Sequence, residues 1–202
     1  MMIEKAIRKR KIFRIPPWIA LLLIVGFSCQ KKDSAQKISI EKSEDTPQMS
    51  MQDLTSIIPI TREQLKNWIP DQIGEYKIIK TVIGYKESAD MSAIKGTYSL
   101  LSDPSKQVVM EILDGAGPVA SVLLSGSNQK LNLDFEELKD EGYSKIYKRN
   151  GHRVWEVENI REQTSELEFI HEGRFLVSLK GQNLRNEELW SFAEYLDFKT
   201  LK

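Results

Sequence analysis

The stretch that decides the fold is Tyr143-Ser-Lys-Ile-Tyr-Lys148, then Asn150-Gly151, then Arg153-Val-Trp-Glu-Val-Glu-Asn159, followed by Glu166-Leu-Glu-Phe-Ile170 and Arg174-Phe-Leu-Val-Ser-Leu179. Each run is rich in β-branched and aromatic residues and alternates apolar with polar positions, the period of a strand buried on one side. Asn-Gly between the first two runs is a strong type I′ hairpin signal, because both central residues of that turn need positive φ. Gly173 hinges the second pair. Connections this short demand antiparallel neighbours. The alternation turns Leu167 and Phe169, then Phe175, Val177 and Leu179, toward the core.

Working upstream, Tyr76 to Tyr85, Ile94 to Leu101 and Gln107 to Leu113 read as further strands. Ile94, Gly96, Tyr98 and Leu100 share one face of the second, and Val108, Met110 and Ile112 share one face of the third. Asp103-Pro104 supplies the turn between them. Thr61 and Gln64 have capping-box spacing before a short helix, with Ile60 and Leu65 placed as a hydrophobic staple and Pro70 as its stop. Its buried face is read as Leu65, Trp68 and Ile69. At the other end Asn186 reads as an N-cap, Glu187 and Glu188 suit the positive end of a helix dipole, and Leu189, Phe192, Ala193 and Leu196 recur at helical spacing. The expected class is α+β: a single antiparallel sheet of about six or seven strands, with an N-terminal and a C-terminal helix packed on one side of it. The domain is placed at residues 54–202.

The 202 residues hold 29 basic and 29 acidic side chains, so no global excess of positive charge attracts nucleic acid. Six of those bases, Lys5, Arg8, Lys9, Arg10, Lys11 and Arg14, precede the apolar run Trp18 to Phe27. As a helix that run is about 15 Å long, half of a hydrocarbon core of roughly 30 Å, which disfavours a permanent span. A basic start, a short apolar run and the small Ser28 fit a secretory signal at 1–28. The next residue, Cys29, is the only cysteine in the chain, which excludes an intrachain disulfide and a cysteine-based zinc cage. Loss of the leader removes six bases and one acid, so 29 and 29 become 23 and 28 and the exported chain is mildly acidic. Residues 29–53 are polar and charged apart from Ile38, Ile40 and a few small apolar side chains, and read as a flexible tether. Over the 25 positions from Cys29 to Leu54 its coil dimension is on the order of 25 to 30 Å.

Gly26-Phe27-Ser28-Cys29 behind that leader resembles the lipobox of bacterial lipoprotein precursors. The resemblance implies cleavage between Ser28 and Cys29, a diacylglyceryl thioether on the Cys29 sulfur and acylation, as with palmitate, of the new amino terminus. It places the chain in the cell envelope, on the outer membrane. Gln30-Lys31-Lys32-Asp33 is similar to the polar export tags of some surface lipoproteins. A second resemblance rests on Ile73-Gly74 with Tyr76, on Ile112-Leu113-Asp114-Gly115-Ala116-Gly117, on the Arg174-Phe175 strand running to Gly181, and on the Glu187-Glu188-Leu189 helix. These resemble uncharacterised envelope lipoprotein domains, a group that implies no catalytic residues.

Candidate chemistry is sparse. Gly115-Ala-Gly117-Pro-Val-Ala120 satisfies the dinucleotide spacing G-x-G-x-x-A after a strand. Pro118 removes an amide donor, however, and the helix that follows is expected to last about two turns without a later ribose-binding acid, so a glycine turn with Pro118 at N1 is preferred. His152 and His171 each flank a hairpin turn, and a metal site using them with Glu156 or Glu172 requires the turns to meet. Ser125-Gly126-Ser127 lacks a nucleophile elbow and reads as a polar loop. Asp134, Glu136, Glu137, Asp140 and Glu141 read as one solvated helical surface. The sequence therefore points to a non-enzymatic binding or interaction domain with no catalytic residues, metal or cofactor. The membrane is reached through acyl chains, and the partner is an envelope protein or an apolar ligand. The alternatives are an envelope hydrolase using carboxylates and a small apolar-ligand or lipid carrier, the latter because the closing strand-to-helix passage resembles lipoprotein-carrier-like folds.

Overall fold

A computed structural model describes residues 51–84, 91–199 and 201. The signal peptide 1–28, Ser28, Cys29, the tether as far as residue 50 and the expected strand end at Tyr85 lie outside the described residues. Helix α1 (Met51–Ser56) begins three residues before the boundary read at Leu54. It is followed by α2 (Arg62–Trp68), β1 (Gln72–Ile73), β2 (Tyr76–Ile83), β3 (Ala93–Leu100) and β4 (Gln107–Asp114). Then come α3 (Pro118–Leu131), β5 (Glu136–Lys139), β6 (Gly142–Arg149), β7 (His152–Asn159), β8 (Thr164–His171), β9 (Phe175–Gln182) and α4 (Asn186–Glu194).

The class is α+β, with one open antiparallel sheet in the order β1-β2-β3-β4-β9-β8-β7-β6-β5. Two meanders, β1 to β4 and β5 to β9, meet where β4 pairs β9 over the full register Gln107↔Gln182 to Asp114↔Phe175. Helix α3 carries the chain from the centre of the sheet to its far edge. The hairpins form as their turn residues dictate: Asn150 and Gly151 have φ of 51° and 81°, Glu172 and Gly173 of 49° and 68°, the paired positive values of a type I′ turn.

Nine strands replace the six or seven expected. One extra strand, β1, is two residues long and carries no alternation to read. The other, β5, is Glu136–Lys139, wholly exposed at the sheet edge, and so the acidic segment read as a helical surface is in part an edge strand. Charged side chains are common on such edges because they discourage pairing with another chain. Two acids of the segment are ion-paired: Glu137 with Lys139 at 2.9 Å, and Glu141 with Arg161 at 2.8 Å.

The helices also differ from expectation, for they cover both faces of the sheet. On one face α2 packs over β2 and β3 while α4 packs over β7, β8 and β9. Between them lie Ile94, Tyr98, Val108, Met110, Ile112, Leu167, Phe169, Val177 and Leu179, inward residues read from alternation, together with Val154 of β7. Gly96 has no side chain because the Tyr98 ring lies over it; a Cβ there would come within 2.6 Å of that ring. Phe192 of α4 meets Tyr76 and Tyr98 edge-on at 5.4 Å, placing large side chains in the sheet–helix interface. On the opposite face Ala120 of α3 packs with Met91, Ala93, Leu113 and Leu176. The mark of this double cover is the unbroken buried run Ile112-Leu113-Asp114 at the end of β4, where alternation ceases because both faces are occupied. Helix α3 has 14 residues rather than two turns and includes Ser125 to Ser127, which are therefore helical and not a loop.

The α2 cap forms as read: the Gln64 amide donates to the Thr61 hydroxyl at 3.2 Å, and the Gln64 side-chain oxygen accepts from the Thr61 amide at 2.9 Å. In α4 the cap position is Arg185, whose amide donates to Glu188 at 3.1 Å, and not Asn186. Asn186 is instead buried, donating through its side chain to the Val157 carbonyl at 3.0 Å and to the Tyr143 hydroxyl at 3.2 Å.

Candidate functional site

Strand β7 alternates His152, Val154, Glu156 and Glu158 onto the α4 face, and so points a carboxylate into the interior beside Leu167 of β8. Glu156 is 3 % exposed. An ionised group there persists only if its lone pairs are filled. Tyr147 donates to it at 2.5 Å, Tyr143 at 2.8 Å, and the Trp190 indole N–H of α4 at 2.8 Å, while the Lys145 ammonium stands 3.2 Å away. Burial pushes the Glu156 carboxyl upward, but the hydrogen bonds from Tyr147, Trp190 and Tyr143 and the charge of Lys145 outweigh it and hold the group below the usual carboxylate value. Burial first, and the bond to Glu156 second, raise the Tyr147 phenol to about 12. The constellation is a saturated anion, with neither the proton of a general acid nor the open lone pair of a base.

Next to it runs a band of neighbouring π groups, some stacked and some tilted. The Arg149 guanidinium lies 4.2 Å from the Trp190 ring, Trp190 faces Phe169 at 6.3 Å, and Phe169 faces His152 at 5.3 Å. The band continues from His152 to His171 at 5.7 Å, to Phe198 at 4.4 Å and to Trp68 of α2 at 6.0 Å. The two hairpin turns do meet, because the β7–β8 register extended past Val154↔Phe169 sets His152 opposite His171. The metal set considered from sequence is nonetheless divided. Glu156 is committed to its four donors, and Glu172 lies 3.8 Å from His171. His152 Nδ1 is 3.1 Å from the Ile170 carbonyl, a contact that requires an Nδ1–H. Among the described residues no three His, Cys, Asp or Glu side chains converge to hold a metal ion. The outer part of the band, His152, His171, Phe198 and Trp68, is half-buried, so these four flat rings are partly exposed at the molecular surface.

The glycine motif is a joint. Asp114, 1 % exposed, receives a bidentate Arg174 guanidinium at 2.7 and 2.8 Å, together with the Ile60 amide at 2.8 Å and the Ala116 amide at 3.0 Å. The Gly115 amide donates to the Arg174 carbonyl at 2.8 Å and the Gly117 amide to the Leu54 carbonyl at 2.9 Å. Pro118 has no amide hydrogen and sits at the start of α3, as expected. The amides of Gly115, Ala116 and Gly117 are therefore engaged within the protein, and the glycine turn serves as a joint between segments. Neither Asp114–Arg174 nor the Glu156 hub was legible beforehand. Asp114 and Arg174 are 60 residues apart, and the only hint of the hub was a glutamate occupying an inward position of a strand. No family model matches the chain, and comparisons with curated proteins and with solved structures likewise find no match.

Proposed function

We propose that this chain is a lipid-anchored cell-envelope lipoprotein, held on the outer membrane by acyl chains on Cys29, whose exported domain is a non-enzymatic binding module. The observation that carries the anchor is the placement of the sole cysteine directly after a basic start, a ten-residue apolar run and Ser28. Two or three acyl chains exceed what stable anchoring requires, at about 0.8 kcal/mol per buried methylene.

Binding is favoured over carboxylate hydrolysis because the buried carboxylates have their hydrogen-bonding capacity committed internally. Glu156 serves four donors, and Asp114 serves one guanidinium and two amides. The half-buried π band from His152 to Trp68 is the surface we assign to the partner, an envelope protein or an apolar ligand. Flat aromatic groups contribute large contact area at small cost in side-chain entropy. Metabolic labelling with tritiated palmitate tests the anchor. Label enters the wild-type chain and is lost in Cys29→Ala; label retained by that variant defeats the reading.

A further inference from the structure

Helix α3 turns Ala120, Ser121, Leu124 and Leu131 inward and leaves Val119, Val122, Leu123 and Gly126 on its outer side, the spacing of one continuous helical stripe. Val122 is 69 % exposed, and Ile58, in the segment after α1, is 85 % exposed. Helix α1 and that segment both lie against the start of α3: the Thr55 hydroxyl of α1 is 3.5 Å from that of Ser121, and a Cβ on Gly117 would lie 3.3 Å from the Pro59 ring. Both pieces are without charge. Gly115 to Gln129 holds fifteen residues without an acid or base, the longest such run among the described residues, and Leu54 to Thr61 adds eight. This is an unusual surface for a chain in which 29% of residues are charged.

We infer that this outer face of α3, with Ile58 beside it, rests on the lipid bilayer that holds the anchor. The inference rests on the lipoprotein reading. What selects lipid is where the chain enters the domain: the anchor at Cys29 leads to Met51 of α1, and α1 packs on α3. Met51 follows Cys29 after 21 residues, so the chain is attached to the domain on its α3 side, and a coil of that length spans only about 25 Å. Confinement of that kind corresponds to an effective concentration in about the mM range, enough to populate a contact too weak to bind membranes unaided. With no basic residues on the stripe, attraction to anionic lipid contributes little, and contact depends on apolar insertion and on the tether.

The test uses the full chain, isolated with its native lipid and reconstituted in vesicles of phosphatidylethanolamine and phosphatidylglycerol. An acylated Cys29 has no free thiol, so Val122→Cys carries the only site for an environment-sensitive fluorophore, and Ile79→Cys on β2 is the exposed comparison. Mass spectrometry of the same samples reports the state of Cys29. The expected result is quenching by doxyl-labelled lipid about three-fold stronger at position 122 than at 79. Equal, weak quenching at both positions with Cys29 acylated overturns the contact and leaves the anchor standing. A label at 122 shielded from aqueous iodide yet untouched by doxyl lipid assigns the face to protein, and also overturns it. An intact leader or a bare Cys29 thiol removes the anchor and this contact with it.

Discussion

At the scale of single residues, two buried anions hold the molecule together by opposite routes. Asp114 is neutralised by one rigid fork, and its oxygens also fix the Ile60 and Ala116 amides, so that a single side chain joins the segment before α2, the glycine turn and β9. Asp114→Asn leaves the half-buried Arg174 guanidinium against a neutral amide. Losing charge-assisted hydrogen bonds of this kind costs about 1.5 to 3 kcal/mol, expected as a lowered urea midpoint with unchanged slope. Glu156 relies instead on three neutral donors and one ammonium. Its folded value lies below its ordinary 4.5, so its contribution is fully present above that pH and is lost as pH falls through the folded value. Glu156→Gln should therefore cost about 2 to 4 kcal/mol at neutral pH, and urea titrations across pH 3 to 7 should show a flatter acid limb than the wild type.

At the scale of elements, local sequence signals predicted what local forces build. The α2 capping box, the Asn150-Gly151 turn and the inward sets of β3, β4, β8 and β9 all appear where the residues place them. Thr61→Ala should cost about 1 kcal/mol, read as a drop of a few degrees in thermal midpoint, because one orphan amide at the helix start loses its acceptor. The elements that went unread are those whose identity depends on a partner. β5 is Glu-Glu-Leu-Lys, indistinguishable from a helical surface until β6 offers it hydrogen bonds. α3 has polar and small residues on its inner side as well as its outer, so no clean amphipathic pattern marks its length. Leu138 on the exposed edge is free of packing constraint. Leu138→Lys should leave stability within about 0.5 kcal/mol and reduce self-association at high concentration in sedimentation velocity.

For the whole molecule, the pairing of β4 with β9 joins two meanders into one sheet and gives them a common core, since Met110 faces Leu179 and Ile112 faces Val177 across the seam. Unfolding of the domain should be cooperative, with tryptophan fluorescence and far-UV circular dichroism tracing the same urea transition. The sequence by itself determined the class, the antiparallel hairpins, the buried faces and the expectation of an acylated Cys29, because alternation, turn chemistry and a signal pattern are encoded within a few neighbouring residues. Only the tertiary structure decided the nine-strand order, the helix on the second face, the meeting of His152 with His171, and the donors around Glu156 and Asp114. Those depend on which strand edges find each other across long separations, and a buried charge acquires its meaning only from the groups that the finished fold brings within 3 Å or so of it.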